Sequence, residues 1–341
     1  MSREPLFKIS EAGLFCPRGM FYVDPWAPVA TAVITHAHAD HAVKGSRRYV
    51  TAASGKRVLW SRMGQHANIE TLEFGESVDL NGVKVSLHPA GHILGSAQIR
   101  AEYKGEIWVI SGDYKVAPDP TCAAFESVRC HTFVTESTFA QPVYQWEPQQ
   151  TTFEKIHDWW RTNQAAGHAS FLFAYALGKS QRLLAGLDSS IGPIFAHRDV
   201  EEVNVLYRES GVDLPVARIP NDGMTPEEWG SSLILQTPAA RWAQGFPHLG
   251  DFSTGFASGW MVLPDGNRTR RVHEGFPLSD HADHRELLGA ISATGAERIF
   301  VTHGYIDEFV SELKLIGYDA IALRTPRCRK PPKVPEPDAV A

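Results

Sequence analysis

Hydrophobic positions in the first third of the chain come in short runs that stop at polar residues. ATAVITH (30–36) is apolar and β-branched and ends in a histidine; VKVSLHPAGH (83–92) alternates and breaks at Pro89 and Gly91. EIWVISGD (106–113) ends in Gly-Asp, and TFVTES (132–137) in Glu-Ser. Their short lengths and β-branched and aromatic content predict strands. The middle of the chain changes period. TTFEKIHDWWRTNQ (151–164), GKSQRLLAGLD (178–188) and DVEEVNVLYRES (199–210) have helical apolar spacing, with the strand-like ASFLFAYAL (169–177) and SLILQTP (232–238) between them. That alternation predicts an α/β unit. A last set follows: RRVHEGFPLSDH (270–281), a helix in HRELLGAISATG (284–295) and a strand in ERIFVTHG (297–304). From Thr325 the Pro-rich, charged TPRCRKPPKVPEPDAVA predicts disorder.

Composition narrows this picture. A chain of 341 residues allows one large domain or two, and 43% hydrophobic content is enough for a sizeable core. No apolar run is long enough to span a membrane, and MSREPLFKIS lacks the apolar centre of a signal peptide. Cys16, Cys122, Cys130 and Cys328 are scattered, so neither a disulfide framework nor a cysteine zinc site is expected, and a reducing cytoplasm is the expected compartment. A net charge of −6 excludes a uniformly basic nucleic-acid binder. Residues 44–62 nevertheless hold Lys44, Arg47, Arg48, Lys56, Arg57 and Arg62 and no acid. Such a patch is either a phosphate-binding surface or a solvated face.

The candidate chemistry begins at His36-Ala37-His38-Ala39-Asp40-His41, which directly follows a predicted strand. A strand sends alternate side chains to opposite faces, but a loop just beyond it can turn all four donors toward one pair of metals. Imidazole and carboxylate suit zinc, manganese or iron. His92, Asp113 and His303 also stand just past apolar runs, where loops converge in layered α/β folds.

This pattern of HxHxDH, a distant His, an Asp at a Gly-Asp strand end and a late His resembles the metallo-β-lactamase superfamily, and the resemblance runs to about residue 325. It implies a first metal on His36, His38 and His92, a second on Asp40, His41 and His303, and Asp113 as the bridge. Asp40 has the alternative role of orienting a neighbouring histidine. Two cations about 3.5–4 Å apart can lower the pKa of a shared water and clamp a phosphate oxygen. Within the superfamily, Thr135-Glu136-Ser137-Thr138-Phe139 and Ser279-Asp280-His281-Ala282-Asp283 look like the added motifs of the β-CASP nucleases. There an acidic residue, here Glu136, orients a histidine, here His281, that protonates the leaving oxygen; His284 is a rival for that role. A structural Glu136 and a surface-turn His281 are the plainer alternatives.

The resemblance also implies the fold class, a metallo-β-lactamase αββα sandwich with an inserted β-CASP α/β cap. Residues 1–141 and 271–325 would form the first domain, 142–270 the cap and 326–341 a disordered tail. The runs GLFCPRGMFYVDPWAPV, AVITHAHADHA, STGFASGWM, LSDHADH and VTHG resemble most closely the bacterial ligase-associated DNA exonuclease family. Artemis-type DNA nucleases and the endonuclease of pre-mRNA 3′-end processing are more distant likenesses.

The implied function is a metal-dependent exonuclease acting on single-stranded DNA ends in repair. Its catalytic residues would be Asp40, Glu136 and His281, and its cofactors two divalent ions, zinc first and manganese second. The implied partners are nucleic acid, DNA before RNA, and a DNA ligase or other repair proteins, with no membrane. Phosphates would meet Arg47 and Arg48 after the HxHxDH loop, and Lys179 and Arg182 at a helix start. The small, polar residues 253–259 are either a turn or a close approach for a phosphate. His303 weighs toward RNA, because the family associates histidine at that motif with RNA-acting members. An RNA-processing nuclease is the alternative, and a thioester hydrolase a further one.

Overall fold

The computed structural model describes residues 5–221, 223–239, 250–326 and 331. Most of the predicted tail 326–341, including Cys328, lies outside them. The described chain is mixed α/β and divides into two compact units. The first comprises Met1–Pro118, Cys122–Gln145 and His281–Ala341; the second comprises Asp119–Thr121 and Trp146–Asp280.

Two sheets build the first unit. One has six strands in the order Lys8–Ser10, Gly13–Cys16, Phe21–Val23, Thr31–Val33, Arg48–Ala52 and Ile69–Leu72, antiparallel at its start and parallel from Phe21–Val23 onward. The other has seven, in the order Asp319–Ala322, Arg298–Gly304, Thr132–Ser137, Glu106–Ile110, Ala97–Tyr103, Val83–Pro89 and Ser77–Leu80. Its first four strands are parallel and the remaining pairs antiparallel. Alternation decides the faces: Val83, Val85 and Leu87 are wholly buried while Lys84 between them is exposed. One apolar cluster draws on both sheets, with Val33 and Val50 from the first and Val85, Ile99, Trp108 and Val134 from the second. The strands before Asp113 and the one carrying His303 belong to the parallel part of the second sheet, so the loops beyond them leave from one edge. The basic stretch 44–62 folds as the strand Arg48–Ala52 and the helix Lys56–Met63.

The second unit has one five-stranded sheet, wholly parallel, in the order Ile194–Ala196, Leu233–Gln236, Ala169–Phe173, Phe252–Ala257 and Glu274–Phe276. Helix Gln149–Ala165 precedes these strands in sequence, and helices Lys179–Gly186, Arg198–Glu209 and Pro226–Ser231 lie between them. Two expectations are corrected here. Residues 252–257 are an interior strand, because Phe252–Ala257 pairs on both sides, so they are not a turn. Residues 271–280 group with the second unit, because Glu274–Phe276 pairs with that strand, and the chain re-enters the first unit only at His281. Among the described residues no helix is long and apolar enough to cross a membrane.

The second unit has its own core, built around Phe171, Phe195, Trp229 and Ile234. Phe171 is fully buried, with its ring centroid 5.4 Å from that of Trp229 and 5.3 Å from that of Phe252. Phe171→Ala is expected to destabilise the protein by about 3–5 kcal/mol, read as a lower midpoint in urea unfolding. A change below about 1 kcal/mol would show that this site collapses around the deletion.

Candidate metal centre

The loop after Thr31–Val33 carries the HxHxDH donors, and Asp24 shapes it. The Asp24 carboxylate accepts from the Thr35 amide at 2.8 Å and from the Thr35 hydroxyl at 2.5 Å. It also accepts from His41 Nδ1 at 2.7 Å, which directs Nε2 of that ring to the donor cluster. On the opposite side Gly112 packs against Thr35. Its φ is +59°, and a Cβ there would stand 2.7 Å from Thr35 Cβ and Oγ1, so only glycine lets the Ser-Gly-Asp turn come this close. Arg62 closes the loop from the helix Lys56–Met63, donating its Nε to the Ala37 carbonyl at 2.5 Å. Burial lowers the Arg62 pKa, against the pull of Asp40.

These supports bring the donors together in two groups. One ligand atom each from His36, His38, His92 and Asp113 lie within 4.8 Å of one another, and the same holds for His41, Asp113 and His303. Asp113 is common to both. Its Oδ2 is 3.6 Å from His36 Nε2, 3.5 Å from His41 Nε2 and 3.9 Å from His92 Nε2, and its Oδ1 is 3.6 Å from His303 Nδ1. His38 Nδ1 is 3.1 Å from both His36 Nε2 and His92 Nε2. His303 reaches the group from a β-bulge: Ser137 pairs with Gly304 where the register shifts, and His303 takes the left-handed φ of +52°.

Asp40 does not join either group. It is exposed, although it lines the same open cavity of about 550 Å³ as Asp24, His41 and His303.

The electrostatics follow from crowding. Burial and the neighbouring His41 push the His36 pKa well below the ordinary histidine range. Burial also opposes charge on His41, but Asp113 and Asp24 outweigh it and raise its pKa well above ordinary. For Asp113 burial favours the neutral acid, yet His41 and His303 hold its pKa well below the carboxylate range. His41 Nε2 and Asp113 Oδ1 are buried and have no hydrogen-bond partner among the described residues. Buried polar atoms left so are costly unless something else binds them. With three to four imidazole and carboxylate donors per group, the residues present fit divalent metal ions.

Glu136 and His281 stand beside this cluster. Glu136, on the strand Thr132–Ser137, is 1% exposed and accepts from the Tyr114 amide at 2.8 Å. His281 Nδ1 meets its two oxygens at 3.0 and 2.8 Å. The His281 ring lies 4.7 Å from that of His92, and Ala282 donates its amide to Tyr114 O at 2.7 Å. The turn ends in a capping box, in which Asp283 and Glu286 each accept the other's amide, and the helix His284–Thr294 begins there. His284 is turned to Glu312 at 2.8 Å, so it is not placed as a rival to His281.

The expected phosphate contacts divide. Arg47 is exposed, whereas Arg48 is committed to Glu70 at 2.6 Å. Lys179 and Arg182 are 3% and 2% exposed, and their charges are met by Asp280 and Asp119. The expectation that these two cations face a solvent-borne phosphate is corrected: the helix start is internal, and its donors are spent on protein acceptors. The sequence does not mark Asp24 or Gly112 as site residues, and it marks Arg62 only as part of the basic stretch 44–62. Asp24 had a signal, since it stands at a strand end in YVDPW, but nothing local ties it to a histidine 17 residues on.

No family model matches the chain. A protein of Opitutus terrae named probable DNA ligase is 28% identical over 314 residues, covering 91% of this chain and 30% of that protein. Endoribonuclease YSH1 of Eremothecium gossypii is 30% identical over 122 residues, which are 35% of this chain and 16% of its own. Cleavage and polyadenylation specificity factor 73 of Drosophila melanogaster is 26% identical over 201 residues, 54% of this chain and 28% of its own. The chain therefore spans less than a third of the length of each of these relatives. A solved structure of a protein of unknown function from Enterococcus faecalis superposes with a TM-score of 0.57 over 88% of this chain and 80% of that one. At 12% identity this is a likeness of fold alone.

Asp24→Asn should weaken metal uptake about 10–100-fold, because the amide no longer holds His41 as the carboxylate does. Metal content against added zinc or manganese is the measurement; wild-type uptake would remove Asp24 from the site. Uptake by the wild type should also weaken as pH falls, because His41 and the other imidazoles must be neutral to bind, and the raised His41 pKa holds its proton. A metal titration that does not change on acidification would contradict this.

Proposed function

We propose that this chain, a relative of the β-CASP nucleases of the metallo-β-lactamase superfamily, is a metal-dependent phosphodiesterase acting on nucleic acid. The observation that carries the proposal is one juxtaposition. Two donor groups share Asp113, and the buried Glu136–His281 pair adjoins them, with His281 against His92. His36, His38 and His92 would hold one ion and His41 and His303 the other, with Asp113 common to both groups. Bound there, a pair of divalent ions supplies Lewis acidity to a phosphoryl oxygen and lowers the pKa of water.

The chain's own residues supply the rest. Asp24 and Asp113 hold His41 in one orientation. Glu136 accepts from His281 Nδ1 and stabilises the protonated ring. The proton that goes to the leaving oxygen is then the one on Nε2. An alkoxide leaves a phosphodiester poorly without a proton, so a positioned acid has a use that a thioester hydrolase lacks.

The sharing of one core by two sheets supports the αββα sandwich for the first unit. The parallel α/β second unit supports the cap reading, since it is inserted where β-CASP proteins carry theirs.

The substrate we favour is DNA, cut exonucleolytically from single-stranded ends in repair, with a DNA ligase as partner. The match along 91% of this chain to a protein named probable DNA ligase supports this. A second reading, an RNA endonuclease, rests on the relatives named endoribonuclease and cleavage and polyadenylation specificity factor.

Linear single-stranded DNA should be degraded faster than a circle of the same sequence and faster than the matching RNA, with zinc or with manganese. Equal rates on circle and line would replace the exonuclease by an endonuclease, and faster RNA cleavage would move the substrate to RNA. His281→Ala should keep its metal and lose about 10²–10⁴-fold in turnover. Loss of metal along with activity would make His281 a ligand and remove its role as the acid.

A further inference from the structure

The segment ALGKSQR (176–182) was singled out by its sequence, but the structure withdraws it from phosphate binding. Its first helical turn is buried throughout: Lys179, Ser180, Gln181 and Arg182 are each 3% exposed or less. The polar atoms of this turn are used inside the second unit. Ser180 Oγ donates to Tyr175 O at 2.8 Å, and Gln181 Nε2 donates to Ala176 O at 3.0 Å and Asn204 Oδ1 at 2.7 Å.

The two cations converge on three consecutive residues, 278–280. Lys179 Nζ donates to Leu278 O at 3.3 Å and pairs with Asp280 Oδ1 at 2.5 Å. Arg182 donates through Nη1 to Ser279 O at 2.5 Å, and its Nε pairs with Asp119. Asp119 is itself buried and held by the Thr121 amide at 2.6 Å and by the Thr121 hydroxyl. The next residue after this clamped stretch is His281. Buried charges this well paired are expensive to assemble, and a surface turn would not need them.

We infer that Lys179 and Arg182 are positioning residues for His281, fixing the backbone that leads into it through Leu278 O, Ser279 O and the Asp280 carboxylate. The far side of His281 is held separately, by the bond from the Ala282 amide to Tyr114 O. Its ring is held by Glu136. The clamp supplies the remaining side. A histidine in a turn has freedom in both flanking peptides, and a shift of about 1 Å in a proton donor can cost about 10²-fold in rate. This inference rests on the general-acid reading of His281.

The test uses leaving-group dependence, which a merely structural role does not change. Arg182→Met, and the double variant K179M/D280N that removes the Lys179 ion pair without stranding a charge, are compared with the wild type. Two substrates are used: a nucleic-acid strand and a diester with a 4-nitrophenyl leaving group, which needs no proton. Metal content and thermal unfolding are followed in parallel. Expected are wild-type metal content, kcat on the strand lower by about 10–100-fold, and kcat on the nitrophenyl diester lower by no more than about threefold. If Arg182→Met does not fold, the double variant carries the comparison alone. Equal losses on both substrates, or wild-type kcat on both, would overturn the positioning role. If His281→Ala in the same assay loses both substrates equally, the general-acid reading fails first and the clamp inference falls with it.

Discussion

Asp113 is a carboxylate buried among the imidazoles of His36, His41, His92 and His303, and much of the first unit is arranged to tolerate it. An isolated buried carboxylate would take up a proton. Here the His41 proton and the His303 ring keep its pKa low instead, while burial of His36 and its neighbour His41 push the His36 pKa down. The arrangement needs every ring at its distance. Asp24 and Thr35 fix His41, the close approach of Gly112 fixes Asp113, and the bulge at Ser137 and Gly304 brings in His303. Among the described residues His41 Nε2 and Asp113 Oδ1 have no hydrogen-bond partner, and a cation would fit there.

The Glu136–His281 pair depends on the same sheet edge. Glu136 lies in the strand between those leading to Asp113 and His303, so the register that forms the donor groups also places the carboxylate that receives His281. Tyr114 links them. It follows Asp113 directly, gives its amide to Glu136, and takes the Ala282 amide next to His281. A shift in one strand would therefore disturb the donor groups and the Glu136–His281 pair together.

Charge in the second unit is spent on structure. Lys179 and Arg182 look from their sequence like phosphate ligands at a helix start, and they are instead among its most buried side chains. Burial lowers the Lys179 pKa, and Asp280 works against that shift. What distinguishes the two roles is the presence of carboxylates and main-chain carbonyls from residues 119 and 278–280, which no local reading of residues 176–182 contains.

The HxHxDH loop, His92, Asp113 and His303 are legible as candidates because each sits just past a short apolar strand run and carries a metal-binding group, while Glu136 and His281 are legible through the resemblance of their motifs to those of the β-CASP nucleases. Hydrophobic period alone separated the early strands from the α/β insertion, since alternation and helical spacing are local properties of the chain. Tertiary structure alone decided which residues support the site. Asp24, Gly112 and Arg62 act through contacts with the HxHxDH segment across the fold, and neither their spacing nor their chemistry announces a partner. It also decided that Asp40 stands outside both donor groups, and that Lys179 and Arg182 face inward. Which donors converge and which charges are buried depend on strand register and sheet packing. These are set by pairings between distant segments, while a motif records only what is adjacent along the chain.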